Sequence, residues 1–247
     1  MRNHFADQPT SWPRAMALDP VDLQGLHRVG TIDTLTARDF DDTCIAPSRT
    51  PAFTRYIGID HGFSFPLRYF EVHQLEPAWP TFLEDFQRHW PTDAEHTYVN
   101  FVRDGLAGNG AARAGNTRWR RMTEQRAGSA KSVFHFDVQG SVAKSTHAGI
   151  PWLLYLRRQL GSRLHFWPFD GWSVPAGKSA VVEVYPSLWK YAFPANDRTP
   201  DQHDAFAVAS WISEADRSGQ LERFLQPHLT LPERMVAGVE GWILGVG

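Results

Sequence analysis

The sequence predicts an α/β fold, and three observations carry that expectation. Short runs of β-formers, YIGID (Tyr56–Asp60) and SAVVEVYP (Ser179–Pro186), stop abruptly at a carboxylate or a proline. Other segments repeat apolar residues every three or four positions, as a one-sided helix requires. The two kinds of segment alternate along the chain, which is the signature of a layered α/β domain.

In chain order, residues 1–28 mix Pro, Trp and charge without a period and read as an irregular arm. A short strand is expected at Val29–Ile32, and PSRTP (Pro47–Pro51) is a connector. The strand Arg55–Asp60 follows. After Pro66, helix is expected through Leu67, Phe70 and Leu75, and again from Pro80 through Phe82, Leu83, Phe86 and Trp90. Thr92, with Glu95 three residues on, has the spacing of a capping box for a further helix through Tyr98, Val99, Val102 and Leu106. GLAGNGAARAGN (Gly105–Asn116) is a glycine-rich loop running into a basic stretch, Arg113–Lys131. SVFHFDVQG is strand-like over Val133–Phe136. Ser145 or Thr146 is expected to cap a helix ending at Gly161, with Pro151 moving its start later. RLHFWPF and SAVVEVYP are strands. Thr199, Pro200 and Gln202 mark the best-defined helix start, ahead of a core face of Ala205, Phe206, Ala209 and Ile212. LERFLQPHL and LPERMVAGVEGWILGV add a helix and a terminal apolar segment.

Composition bounds the function. The 247 residues are 42% hydrophobic and 21% charged, enough to bury a core and too apolar for general disorder. A net charge of -2 leaves no global basic field, so nucleic acid has to be met by a local patch. Cys44 is the single cysteine and forms no internal disulfide, in keeping with a reducing cytoplasm. No apolar run is long enough for a bilayer, and the first residues lack the apolar core of a signal peptide, so a soluble cytoplasmic protein without a membrane partner is expected.

Three acids sit where apolar elements do not favour them. Asp60 ends YIGID, Glu183 interrupts VVEVYP, and Asp204 lies near the start of an otherwise apolar helix. A buried carboxylate needs donors or a cation. Magnesium takes a few carboxylates plus water and phosphate oxygens, and two such ions can drive phosphodiester cleavage. Each acid also has a structural explanation: a turn bond for Asp60, an arginine partner for Glu183, and the helix dipole for Asp204. Arg118, Arg120, Arg121 and Lys144 are the candidates to hold phosphate, with Trp119 interleaved for stacking. Zinc spacing, a P-loop and a GxSxG nucleophile are all missing from the sequence.

The segments IGIDHGFSFP, SVFHFDVQG, VVEVYP and QHDAFAVA together resemble a family of predicted RNase H-like nucleases, over about Arg55 to Asp216. The resemblance implies a mixed central sheet with helices on both faces, in a domain over 29–247 with 67–131 as a largely helical insertion. It implies that Asp60, Glu183 and Asp204 hold Mg2+ or Mn2+ as the catalytic acids of a nuclease, with nucleic acid as partner. It places Asp60 on a middle strand, Glu183 on a later strand and Asp204 on the final core helix. Such nucleases also carry a first-strand acid, and residues 1–54 offer only Asp19 in ALDP and Asp33 in VGTID. Two readings follow: a metal-dependent nuclease, or a catalytically inactive binding module on the same fold. An actin-like ATPase is a third and would need phosphate-gripping glycine loops that the chain lacks.

Overall fold

The structure is a computed structural model that describes residues 56–247 and the backbone of Ala15–Ala17. The strand expected at Val29–Ile32 and the connector at Pro47–Pro51 lie outside the described residues. Four strands form one sheet in the order β1-β2-β4-β3: β1 (Ala15–Ala17), β2 (Tyr56–Ile59), β3 (Leu164–Phe166) and β4 (Ser179–Glu183). β2 and β4 run parallel with Ile59 beside Glu183, and β3 runs parallel to the other side of β4. β1 is antiparallel to β2, with Ala15 opposite Ile59, so the arm expected to be irregular contributes an edge strand. The sheet is therefore mixed.

Among the described residues the α-helices are α1 (Leu67–Val72), α2 (Trp79–His89), α3 (Val99–Arg103), α4 (Met122–Arg126), α5 (Ala143–Leu160), α6 (Pro200–Arg217), α7 (Leu221–Leu225) and α8 (Leu231–Glu240). Strand alternation assigns them to layers. Ile57, Ile59 and Val181 enter one core with Phe70, Phe82 and Phe86 of α1 and α2 and Ile150, Leu153 and Leu154 of α5. Ala180, Val182 and Val184 enter a second core with Ala205, Val208 and Ile212 of α6 and Trp242–Leu244. Helices thus cover both faces. Gly58 permits the close approach of α6, because a Cβ there would lie 3.0 Å from Val184 Cγ1 and 3.4 Å from Val208 Cγ1. The residues read as an insertion share the first core with the sheet.

Three further elements differ from expectation. Val133–Phe136 is a chain of turns, with the His135 amide bonded to the Ser132 carbonyl at 3.0 Å; the adjacent Val133 and Phe134 are buried without a ladder. Helix α5 begins at Ala143 and carries Pro151 in its interior. Proline has no N–H, so the His147 carbonyl four residues earlier lacks its helical donor. Thr92 supplies one: its buried hydroxyl donates 3.1 Å to that carbonyl and lies 3.0 Å from the Ala148 carbonyl. Thr92 therefore does not cap a helix, and the next helix is only Val99–Arg103. The Thr199 start is as expected, with the Thr199 hydroxyl accepting from the Gln202 amide at 3.3 Å and Gln202 Oε1 accepting from the Thr199 amide at 3.0 Å.

Candidate functional site

β2 leads out to α1 and α2 on one face, whereas its parallel neighbour β4 leads out to α6 on the other. Where adjacent parallel strands diverge in this way, a crevice opens beyond their carboxyl ends, and ligands of open α/β sheets bind there. Asp60, His61, Glu183, Val184 and Tyr185 line that crevice, joined by Arg121, Glu124 and Lys131. The cavity is narrow, about 20 Å³, room for roughly one water molecule.

Glu183 is the last residue of β4 and is 3% exposed. In register with Ile59 it points to the same face, beneath the turn after β2. Both its oxygens are engaged. Oε1 accepts from Arg121 Nη2 at 2.6 Å; Oε2 accepts from Arg121 Nη1 at 2.7 Å and from the Phe63 amide at 3.1 Å. This is a bidentate guanidinium–carboxylate pair, the strongest geometry for that contact.

Arg121 immediately precedes α4 and is 1% exposed. Its Nε donates to Glu124 Oε1 at 2.9 Å, its amide to Glu124 Oε2 at 3.0 Å, and Nη1 also to the Glu240 carbonyl at 3.2 Å. The side chain of Glu240, at the end of α8, accepts from the first amides of two helices, Leu67 of α1 at 2.8 Å and Met122 of α4 at 2.7 Å. One carboxylate thus serves two helix N-termini, in neither of which the N-cap side chain itself makes the capping bond. Ile243 beyond it pairs alongside Glu183, and its amide donates to Thr123 Oγ1 at 3.0 Å. The cluster therefore ties β4, the turn after β2, α1, α4 and the C-terminal segment together.

Burial shapes the charges. It acts to lower the Arg121 pKa, but the Glu183 and Glu124 carboxylates outweigh it and hold the guanidinium above its ordinary value. Burial pushes the Glu124 carboxyl up, with Arg121 opposing. It also pushes Glu240 up, with the Leu67 and Met122 amides opposing. Burial lowers His61 to about 4, so the ring is neutral near pH 7. Its Nδ1 donates to the Gly62 carbonyl at 2.8 Å, and Nε2, which has no hydrogen-bond partner among the described residues, presses on Gly149, where a Cβ would lie 2.3 Å away.

The nominated residues divide. Asp60, just past β2 on an inner strand of the sheet, and Glu183 share the crevice. Asp204 is on α6, outside that lining, with Oδ1 3.7 Å from Lys190 Nζ. Of the basic residues, Arg118 and Lys144 are exposed. Arg120 turns inward, donating to the Ala130 carbonyl at 2.8 Å, and Arg121 is buried, so these two serve the fold and are not placed to meet phosphate from solvent. Sequence reasoning missed Glu124, Glu240 and the inward path of Arg121. The Arg121–Glu124 spacing of three is the available signal, hidden because the stretch reads as a basic loop whose arginines face phosphate.

These residues do not fit a Mg2+ or Mn2+ centre in this arrangement. Both Glu183 oxygens are committed to Arg121, and no group of three or more His, Cys, Asp or Glu among the described residues is placed to hold a metal ion. Fold and site together define a mixed α/β protein whose strand-end crevice is closed on a buried ion-pair cluster. Comparison with known protein families, curated proteins and solved structures gives no match. No helix among the described residues is long and apolar enough to cross a membrane.

Proposed function

We propose that this chain is an RNase H-like module that binds its partner without cleaving it. The scaffold supports the RNase H-like half of this reading: Asp60 ends an inner strand, Glu183 ends its parallel neighbour, Asp204 follows on a core helix, and helices cover both faces. One observation carries the non-catalytic half. Glu183, the acid best placed to hold a metal, is bound through both oxygens to Arg121 inside a cavity of about 20 Å³. A two-metal phosphodiester reaction needs free carboxylate oxygens and room for the scissile group between them.

The partner class in this reading is nucleic acid, met from outside by the exposed Arg118 and Lys144. Such contacts weaken steeply with salt. The test incubates labelled single-stranded and duplex DNA and RNA with the protein in Mg2+ or Mn2+, reading retention and cleavage separately. Salt-sensitive retention of intact strands, weakened by Arg118→Ala and Lys144→Ala, is the expected result. Divalent-dependent cleavage abolished by Asp60→Asn would replace this reading with the nuclease. That second reading has one observation in its favour, the shared crevice of Asp60 and Glu183, and it requires Arg121 to release Glu183.

A further inference from the structure

We propose that Asn109–Gly110 is a modification site whose chemistry the fold holds back: Asn109 closes to a succinimide, and then becomes aspartate or isoaspartate, only when the loop that carries it opens. Of the asparagines Asn3, Asn100, Asn109, Asn116 and Asn196, Asn109 alone is followed by glycine, which has no Cβ to crowd its own amide nitrogen. In the reaction that nitrogen gives its proton to a solvent base and bonds to Asn109 Cγ. The Cγ–Nδ2 bond breaks, and ammonia leaves with a proton from water. Water then adds to either ring carbonyl, giving aspartate or isoaspartate, so solvent is the only co-reactant.

Packing requires the labile pair. Gly110 is buried, and a Cβ there would lie 2.8 Å from Val102 Cγ1 and 2.9 Å from Trp90 Cζ2. Asn109 is exposed, and its side chain makes no capping bond to the 3-10 turn Gly110–Arg113 that it precedes. Its backbone, with φ -145° and ψ 57°, is set against the reaction. At that ψ the Gly110 nitrogen stands on the opposite side of the Cα–C bond from Cβ, out of reach of Cγ in every rotamer, and ring closure depends on that approach. The backbone is pinned on both sides. The Asn109 amide donates to the His89 carbonyl at 2.9 Å, and the Asn109 carbonyl accepts from the Ala112 amide at 3.1 Å. Arg113 forks onto Asp85 at 2.5 and 2.7 Å. Turning ψ toward attack swings the Asn109 carbonyl away from Ala112 and lifts Gly110 from Trp90. Isoaspartate also adds a methylene to the main chain between the His89 anchor and Trp90, so the modified loop does not close as before. None of the crevice residues takes part, and the outcome is independent of what the chain binds.

The experiment incubates the full chain in mildly alkaline buffer, native, in urea below the unfolding transition and in urea above it. Peptide mass mapping follows conversion of amide to acid at each asparagine. In the unfolded chain Asn109 should convert ahead of the other four. In the native chain it should convert at least about tenfold more slowly than when unfolded, and faster as urea rises below the transition. Arg113→Ala, which frees the turn from Asp85, should convert about three- to tenfold faster than the wild type in native buffer. Returned to native buffer, the isoaspartyl chain should melt at least about 2–4 °C below Asn109→Asp, which carries the same charge on a normal main chain. Equal native and unfolded rates would overturn the proposal, as would an unfolded chain in which Asn109 has no lead. So would a native rate that urea below the transition leaves unmoved, a folded Arg113→Ala no faster than the wild type, or an isoaspartyl chain that melts with Asn109→Asp. If Arg113→Ala does not fold, the urea series on the wild type decides.

Discussion

Replacing Glu183 by Gln tests the buried pair at the centre of the structure. The substitution keeps shape and removes charge. It leaves the Arg121 fork facing an amide whose NH2 group meets an N–H donor at one of the positions where Glu183 now accepts, 2.6 Å from Nη2 or 2.7 Å from Nη1. A guanidinium that is 1% exposed cannot turn to water for compensation. Breaking a buried pair from one side costs about 3–5 kcal/mol, a large share of a typical stability of about 5–15 kcal/mol. Arg121→Met should cost at least as much, since it strands Glu183 and Glu124 together. The double variant should cost less than the sum, with a coupling of about 2–3 kcal/mol, because each change removes the charge that the other left unpaired. Urea unfolding followed by tryptophan fluorescence gives the three free energies from midpoint and slope. Additivity within about 0.5 kcal/mol, or single costs under about 1 kcal/mol as at exposed pairs, would refute the reasoning.

Two further predictions concern the frame around the crevice. Thr92→Val should cost about 1–3 kcal/mol by orphaning the buried carbonyl that Pro151 already deprives of a donor. The cost should shrink in a Pro151→Ala background, where the helix supplies its own N–H; equal costs in both backgrounds would show that Thr92 does something else. Glu240 tests the charge balance by pH. Its folded pKa is raised above 4.5, so its contribution is fully present below about 4.5 and is lost as pH rises through the folded value. The stability of the wild type relative to Glu240→Gln should therefore fall as pH climbs out of the acid range, and a difference that is flat with pH would contradict the burial argument.

Much of the frame is legible in the sequence because local chemistry and tertiary role agree there. The Thr199–Gln202 box starts a helix whatever packs against it, and the runs of β2 and β4 are apolar enough to be placed without knowing their neighbours. Val133–Phe136 misleads because a run of β-formers reports burial as much as extended backbone, and turns can bury the adjacent Val133 and Phe134 as well as a strand can. Pro151 misleads because its helical cost is offset by Thr92, a residue far away in sequence. The same distance hides the site. Asp60 was legible as an acid at a strand end and Glu183 as one that interrupts an apolar strand; the strand stops at Glu183, and both acids line one crevice. Which cation faces Glu183 was not legible, since Arg121 lies 62 positions away in a basic stretch that reads as a phosphate-facing loop. Asp204 satisfied the pattern of a helix-borne ligand, yet it meets Lys190 outside the crevice.

The most direct measurement is a crystal of the wild-type protein soaked in MnCl2 and recorded at a wavelength where manganese scatters anomalously. The account predicts clear density for the Arg121 fork on both Glu183 oxygens and no anomalous peak in the crevice. A peak within about 2.0–2.3 Å of the Asp60 and Glu183 carboxylates, with Arg121 swung aside, would contradict it.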